Sequence, residues 1–186
     1  MAGYFPASSQ IIDFSKTAGH VNLFDTIINE PDFDYLVDLD AQFLRSFFRI
    51  FSDIAFDQGA RGAGIEITVY FMIDRTVDSV RAAGEIRRQC GDVQFVPVIN
   101  EAIGNVLVLP QAASLYSDIS KAREITLPRL SIEALNLTDQ PDFSFADFIA
   151  RNGAGTPLEL RVELFGFLEG IYNQKRVSDA GGSVLF

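Results

Sequence analysis

GIEITVYFMI, residues 64–73, alternates apolar side chains with other residues along its whole length. The apolar positions are Ile65, Ile67, Val69, Phe71 and Ile73. A period of two is typical of a β-strand, and one face of this strand must be buried against other parts of the chain. Residues 41–55 before it and 77–90 after it carry helical patterns, so we expect two helices to cover it.

The two flanking helices have recognisable ends. In residues 41–55 apolar side chains recur every three or four positions, and Asp40 is placed to cap the first turn. Thr76 is placed to cap the second helix, residues 77–90, and Gly91 to end it. Both segments are therefore predicted to be amphipathic helices.

Three glycines occur in DQGARGAG, residues 57–64, between the first helix and the strand. A phosphate-binding loop follows a strand and opens a helix, whereas these glycines precede a strand. They therefore predict a hairpin turn.

The second half of the chain predicts more strands than helices. Residues 93–98 and 105–109 indicate an inserted hairpin, and Pro97 confines its first strand to an edge. Residues 124–137 indicate an apolar strand that is bent at Pro128, because proline cannot donate to a sheet.

Two elements are expected after that bent strand. Asp142 is placed to cap a short helix that ends at Asn152 and Gly153. Apolar and charged residues then alternate over residues 158–164, which predicts a half-buried closing strand.

These elements predict an α+β fold, a mostly antiparallel β-sheet flanked by helices, with an inserted hairpin and an extended N-terminal arm. One domain is expected over residues 1–186, with an arm at 1–38, a core at 39–168 and a tail at 169–186. A β-sandwich or jelly roll is the second choice, and the two helical patterns disfavour it.

Composition restricts the partners. The chain has 25 acidic and 15 basic residues, a net charge of -10, which disfavours sequence-specific nucleic-acid binding through a basic surface. No apolar run approaches the roughly 18 residues of a membrane span, so no membrane partner is expected. The start, MAGYFPASSQ, lacks the layout of a signal peptide, which predicts a protein that is made and kept in the cytoplasm until it is assembled.

The sequence offers little for catalysis. His20 is the only histidine and is expected in a polar arm, so neither a histidine metal site nor a Ser-His-Asp triad is predicted within one chain. Cys90, the only cysteine, excludes an internal disulfide and is expected to be buried filler. Glu66 and Glu159 could face each other across strands, but exposed strand positions explain them as well. We therefore expect no enzyme, no catalytic residues, no cofactor and no metal.

Several short pieces, in this order, resemble the tail terminator or tail sheath completion proteins of T4-like contractile-tailed bacteriophages. They are Gly3-Tyr4-Phe5, the helix end Phe48 to Ile54, the strand Ile65 to Tyr70 with a helix directly after it, Ile125 to Ile132, and the closing strand Leu158 to Phe167. None of them is a catalytic fingerprint, so the resemblance depends on their order and spacing.

This resemblance implies a virion structural protein that forms a homo-oligomeric ring, a hexamer, at the head-proximal end of a phage tail. Its partners would be copies of itself, the tail tube and sheath proteins, and the neck or connector proteins, with room for DNA to pass through the ring. An edge strand or arm of one subunit would add to its neighbour. The expected assembly positions are Gly3, Tyr4 and Phe5 in the arm, and Leu127, Pro128 and Arg129 at the bent strand.

Two other functions stay open. A jelly-roll capsid protein would have about eight strands and almost no helix. A non-viral domain that binds a small ligand would have a concave pocket with convergent polar groups.

Overall fold

The computed structural model describes residues 9–104, 108–117, 119 and 124–179, and only the backbone of residues 176–179. At its centre lies a three-stranded sheet in the order β1-β2-β3, formed by β1 (Thr68–Ile73), β2 (Gln94–Asn100) and β3 (Ile125–Leu127). Both pairs of neighbouring strands are parallel, with Thr68 opposite Gln94 and Val98 opposite Ile125.

The described residues also contain eight α-helices. They are α1 (Thr17–Asn29), α2 (Leu44–Asp53), α3 (Phe56–Gly62), α4 (Val77–Gln89), α5 (Pro110–Tyr116), α6 (Ile132–Thr138), α7 (Phe145–Ala150) and α8 (Leu158–Asp179). A short 3-10 helix, Ala41–Phe43, leads into α2. None of these helices is both long and apolar enough to cross a membrane.

The prediction of a mostly antiparallel sheet is wrong, although the fold is α+β. Parallel strands need a long crossover connection, which is usually helical. In the chain, α4 lies between β1 and β2, and α5 lies between β2 and β3. The sheet is parallel because helices, not hairpins, connect its strands.

The two predicted amphipathic helices are confirmed. Asp40 accepts a hydrogen bond from the Gln42 N–H at 3.0 Å and caps the 3-10 helix before α2. Thr76 caps α4, because its hydroxyl oxygen accepts from the Ser79 N–H at 3.2 Å. Gly91 follows α4 with a φ of 60°, in the left-handed region where glycine is favoured.

The glycine-rich hairpin turn is wrong, because DQGARGAG contributes most of α3. Phe56 and Ala60 are both buried and lie four residues apart, so they occupy one face of a helix. Their burial outweighs the low helix propensity of Gly59 and Gly62. The chain turns only at Gly64, whose φ is 77°.

The inserted hairpin is also wrong. β2 is the central strand of the sheet, and Pro97 is buried within it and not at an edge. The pairing of β2 with β3 begins only at Val98, so Pro97 lies beside β1 alone. Residues 105–107, part of the second predicted hairpin strand, lie outside the described residues, and Leu109 already precedes α5.

The bent strand over residues 124–137 is wrong, since β3 ends at Leu127, one residue before Pro128. Proline has no N–H to continue a ladder. Ser131 then caps α6 by accepting a hydrogen bond from the Ala134 N–H at 3.1 Å.

The closing strand over residues 158–164 is a helix, α8. Leu164 is fully buried, and Leu160 and Leu168 lie four residues on either side of it, packed against the same cluster. Leu158 and Val162, which the alternating pattern placed with them, are exposed. The pattern that decides burial here therefore has the period of a helix.

The predicted extended N-terminal arm is wrong for residues 17–29, which form α1. His20 on α1 is only 2% exposed, and it is not in a polar arm. Its Nδ1 lies 3.1 Å from the Lys16 carbonyl oxygen, and its ring lies 5.0 Å from that of Phe14. Residues 31–33 form a turn, in which the Phe33 N–H donates to the Glu30 carbonyl at 3.4 Å, and residues 34–39 have no regular secondary structure.

Three clusters of buried side chains hold these elements together. The largest joins α1 to α5 to one face of the sheet, where Phe71 and Phe95 stack at 5.9 Å. A small cluster, Val96, Val98 and Ile125, lies on the opposite face. A third cluster joins α6, α7 and α8 around Leu164.

Cys90 lies in the largest cluster and is fully buried, so its expected role as buried filler is confirmed. Burial raises the pKa of its thiol from 9.0 to about 12. The thiol is therefore neutral in the folded protein at neutral pH.

Candidate functional site

All three strands end at the same edge of the sheet, because they are parallel. The segments that follow them are Asp74–Thr76 after β1, residues 101–104 after β2, and residues 128–131 after β3. In open α/β sheets, ligands bind outside the carboxyl ends of the strands, most often where the strand order reverses, and the order β1-β2-β3 contains no such reversal. This edge, which we call the carboxyl edge, is the candidate site.

The turn after β1 is fixed by its own side chains. The Asp74 carboxylate accepts hydrogen bonds from the N–H and the hydroxyl of Thr76, both at 2.6 Å. The Asp74 N–H donates in turn to the Ser79 hydroxyl oxygen at 3.0 Å. Arg75 sits on this braced turn with its side chain exposed.

α4 begins directly after the same turn, so its N-terminal end lies at the carboxyl edge. The N-terminus of a helix carries a partial positive charge that favours anionic groups. Asp78 in the first turn of α4 and Asp74 in the turn before it already place carboxylates at this end, beside the Arg75 guanidinium.

The segment after β2 is equally constrained. The Asn100 side-chain oxygen accepts from the Ala102 N–H at 2.9 Å, and the Asn100 carbonyl accepts from the Ile103 N–H at 3.2 Å. The Glu101 N–H donates to the Leu127 carbonyl at 3.0 Å and extends the contact between β2 and β3 by one residue. The half-buried Asn100 amide is therefore held in one place at the end of the central strand.

The segment after β3 is bonded to the segment after β2 and to α8. The Arg129 guanidinium donates to the Ala102 carbonyl at 3.2 Å, which links the second and third segments. The Ser131 N–H and hydroxyl donate to the Glu163 carboxylate at 2.5 and 2.7 Å. Glu163 belongs to α8, so that helix fixes the position where α6 begins.

The carboxyl edge collects groups of both charges. Asp74 and Glu101 contribute carboxylates, Arg75 and Arg129 guanidinium groups, and Asn100 an amide. This set suits a polar ligand that has both donors and acceptors better than it suits a bare polyanion. Among the described residues, no group of three or more His, Cys, Asp or Glu side chains could hold a metal ion.

Of the six positions predicted from sequence, three lie at this edge. Leu127 ends β3, and Pro128 and Arg129 begin the segment after it, so they are brought together by the end of a strand and not by a bend within one. Gly3, Tyr4 and Phe5 lie outside the described residues.

Sequence reasoning missed Asp74 and Asn100 as candidate site residues. Both are polar residues that follow an apolar run: Asp74 comes directly after Ile73, where β1 ends, and Asn100 is the last residue of β2, directly after Ile99. That signal has a meaning only when the strands are known to be parallel, since only then do their carboxyl ends meet.

No protein-family model, curated protein or solved structure matches this chain. The resemblance to tail terminator proteins therefore stays a prediction. Two of its pieces differ in form from the strands it implied, because Leu158 to Phe167 is helical and Ile125 to Ile132 holds a strand of only three residues.

Proposed function

We propose that this protein binds a small polar ligand at the carboxyl edge of its parallel sheet. The observation that carries the proposal is the convergence of three braced segments, two of which are joined by the hydrogen bond from Arg129 to the Ala102 carbonyl. The proposed activity is binding without catalysis.

The bracing supports binding on energetic grounds. A loop that must be ordered by its ligand costs affinity, and a loop that is already fixed does not. The Asp74 turn and the Asn100 turn each hold their backbone through side-chain hydrogen bonds of 3.0 Å or less. Polar groups of both charges are thus presented in fixed positions before any ligand arrives.

The test is a screen of small polar metabolites by ligand-observed NMR, followed by amide shift mapping on the labelled protein. A ligand of the proposed site shifts the amides of Arg75, Asn100 and Arg129 more than those of Thr68 and Gln94, at the opposite ends of the strands. A library that yields no binder, or a binder that shifts only residues away from the carboxyl edge, contradicts the proposal.

A pair of variants sharpens this test. Arg129→Ala removes the link between two of the segments and a cation of the site, so it should weaken the ligand found in the screen. Arg151→Ala removes an exposed arginine that follows α7 and serves as the matched control. Equal affinity for the two variants would exclude a role for Arg129.

A second candidate is the ring-forming tail terminator or completion subunit, which would place the protein in the virion among tail tube, sheath and neck proteins. Exposed large apolar side chains support it, namely Tyr70 and Met72 on β1 and Phe33 and Leu36 before α2. Exposed apolar side chains of this size are typical of contacts between subunits when they form a patch.

Light scattering across a concentration series, followed by negative-stain images, tests the second candidate. Rings of the purified protein, or rings that form when tail tubes are added, support it, whereas a monomer under both conditions contradicts it. The described residues contain three strands and eight α-helices, which does not fit a jelly roll.

A further inference from the structure

The β1 strand has the composition of a strand from the middle of a sheet, but it lies at an edge. Its sequence, TVYFMI, contains no charged residue, no proline and no glycine. Continuous apolar runs of this kind are typical of strands that are covered on both faces. The central strand β2 has five consecutive buried residues, whereas along β1 every second residue is exposed.

The outer edge of β1 carries backbone groups that can pair with another strand. On that side β1 has no strand partner among the described residues. No described backbone group outside β2 bonds to Val69, Phe71 or Met72. Edge strands are usually protected by charged side chains or by proline, and β1 contains neither. A row of backbone N–H and C=O groups fits an extended strand, which presents the complementary groups at the same spacing.

Within the part of the chain that the structure describes, β1 is also the strand whose edge is open to such a partner. The central strand β2 is paired on both sides. The outer edge of β3 meets α8, where the Gln174 side chain bonds both backbone groups of Thr126. We propose that β1 pairs with β1 of a second copy, antiparallel about a two-fold axis, so that the two sheets become one.

The position of the two-fold axis follows from the faces of the sheet and from the charges near the strand ends. Opposite residues must lie on the same face, and the longest overlap therefore puts the axis at Tyr70 or at Phe71. An axis at Tyr70 would place Glu66 opposite Asp74, and like charges directly opposite each other are unfavourable. An axis at Phe71 avoids this contact. It also brings Glu66 within one position of Arg75 of the other copy, which has the opposite charge.

The two opposite charges are available for this contact. Glu66 and Arg75 are exposed, and neither forms an ion pair with another of the described residues. The carboxylates near Arg75 have partners of their own, since Asp74 accepts two hydrogen bonds within its turn and Asp78 pairs with Arg81. A parallel pair would bring each of the two charges beside its own copy, so the antiparallel arrangement is favoured.

Apolar side chains that one chain leaves exposed meet each other in this register. Tyr70 is 43% exposed and lies opposite Met72 of the other copy, which is 52% exposed, and the two-fold axis repeats the pair. On the other face of the sheet, the half-buried Val69 lies opposite Ile73. Cross-strand pairs that contain aromatic and β-branched residues stabilise antiparallel sheets. The contact therefore covers β1 as the central strand β2 is covered.

The inference does not rest on ligand binding at the carboxyl edge. A two-fold contact closes at two subunits, so it also differs from the ring candidate. Sedimentation velocity across a concentration series tests for the dimer. Met72→Lys and Tyr70→Glu, made separately, should each weaken dimerisation about tenfold or more, because each brings two like charges to diagonal positions across the axis.

The double variant, Tyr70→Glu with Met72→Lys, tests the register. With the axis at Phe71, each introduced carboxylate lies opposite the introduced ammonium group of the other copy, so dimerisation should return at low salt and weaken at high salt. With the axis at Tyr70, the two introduced carboxylates would lie opposite each other. The double variant would then stay dissociated.

Ile149→Lys is the matched control, because Ile149 is also 52% exposed and lies on α7, outside the sheet. It should leave dimerisation unchanged, and far-UV circular dichroism of each variant checks folding. Amide hydrogen exchange gives the location of the contact. The amides of β1 should become better protected as the protein concentration rises, while those of β2 should not change.

Three results would each overturn the proposal. The first is a monomer at every concentration, which means that no second copy pairs with β1. The second is a dimer that Met72→Lys weakens no more than Ile149→Lys does. The third is a folded double variant that stays dissociated at low salt.

Discussion

The amide side chain of Gln174 in α8 imitates a neighbouring strand, and its removal should uncouple α8 from the sheet. The Gln174 side-chain oxygen accepts from the Thr126 N–H at 2.7 Å, and its side-chain nitrogen donates to the Thr126 carbonyl at 2.9 Å. Thr126 is the middle residue of β3, the strand at one edge of the sheet. Gln174→Ala leaves both backbone groups of Thr126 without these partners.

The magnitude follows from the two bonds. Each contributes about 0.5–1.5 kcal/mol net, so the variant should lose about 1–3 kcal/mol of the free energy of unfolding. For a chain of this length, 2 kcal/mol corresponds to a fall in Tm of about 4–8 °C. The half-buried position of Thr126 lets some water in, which favours the lower part of that range.

Urea denaturation gives the loss of stability, and amide hydrogen exchange at Thr126 gives its location. Gln174→Glu keeps the acceptor for the Thr126 N–H and loses the donor, so about half of the loss is expected. Gln140→Ala, at an exposed position after α6, is the control. Unchanged stability in Gln174→Ala, together with unchanged exchange at Thr126, would refute the reasoning.

Three further predictions concern the backbone and the buried thiol. Gly59→Ala should raise the free energy of unfolding by about 0.5–1 kcal/mol, because Gly59 lies inside α3 with nothing within 4 Å of a new Cβ. A lower free energy of unfolding in urea denaturation would instead favour a hairpin turn at this position. Gly91→Ala should lower the free energy of unfolding by more than about 1 kcal/mol, because φ is +60° and the new Cβ would lie 2.7 Å from the Asp57 carboxylate. An unchanged free energy in urea denaturation would contradict that geometry. Burial raises the pKa of the Cys90 thiol from 9.0 to about 12 in the folded protein, so its contribution to stability is complete below pH 9 and is lost as the pH rises towards 12. In Cys90→Ala the free energy of unfolding should therefore fall less between pH 9 and 12 than in the unmodified protein. Identical pH profiles for the two proteins would contradict the burial of the thiol.

The sequence signals of α2 and α4 lie within these helices or directly before them. Residues 41–55 and 77–90 combine a helical period with capping residues, Asp40 and Thr76, that act within one turn. These features need no knowledge of the rest of the chain. The α2 and α4 helices could therefore be predicted from sequence, within a few residues at their ends.

The α8 segment was mispredicted because two periods overlap in it. Leu158, Leu160, Val162 and Leu164 alternate like a strand, whereas Leu160, Leu164 and Leu168 recur like a helix. Leucine, glutamate and arginine are all good helix formers, so intrinsic propensity favoured the helix. The alternating pattern covers only seven residues, so it does not outweigh the helical period and the helix propensity of this segment.

The direction of the sheet could not be predicted locally, because it depends on how distant strands are connected. Two strand segments separated by a glycine, as in residues 93–109, fit a hairpin on their own. Only the crossovers through α4 and α5 make β1, β2 and β3 parallel. The candidate site depends on that direction, and so Asp74 and Asn100 could not be selected from sequence.

The two edges of the sheet restrict how a ring could be built. The outer edge of β3 is occupied, since Gln174 already bonds the Thr126 backbone, while the outer edge of β1 has no strand partner among the described residues. A ring closed by strand addition would need β1 of one subunit to pair with β3 of the next, where Gln174 now lies. Pairing β1 with β1 gives a two-fold contact, which closes at two subunits. A larger ring of this chain therefore needs either an arm of one subunit that adds to β1 of the next or a heterologous contact away from the sheet edges.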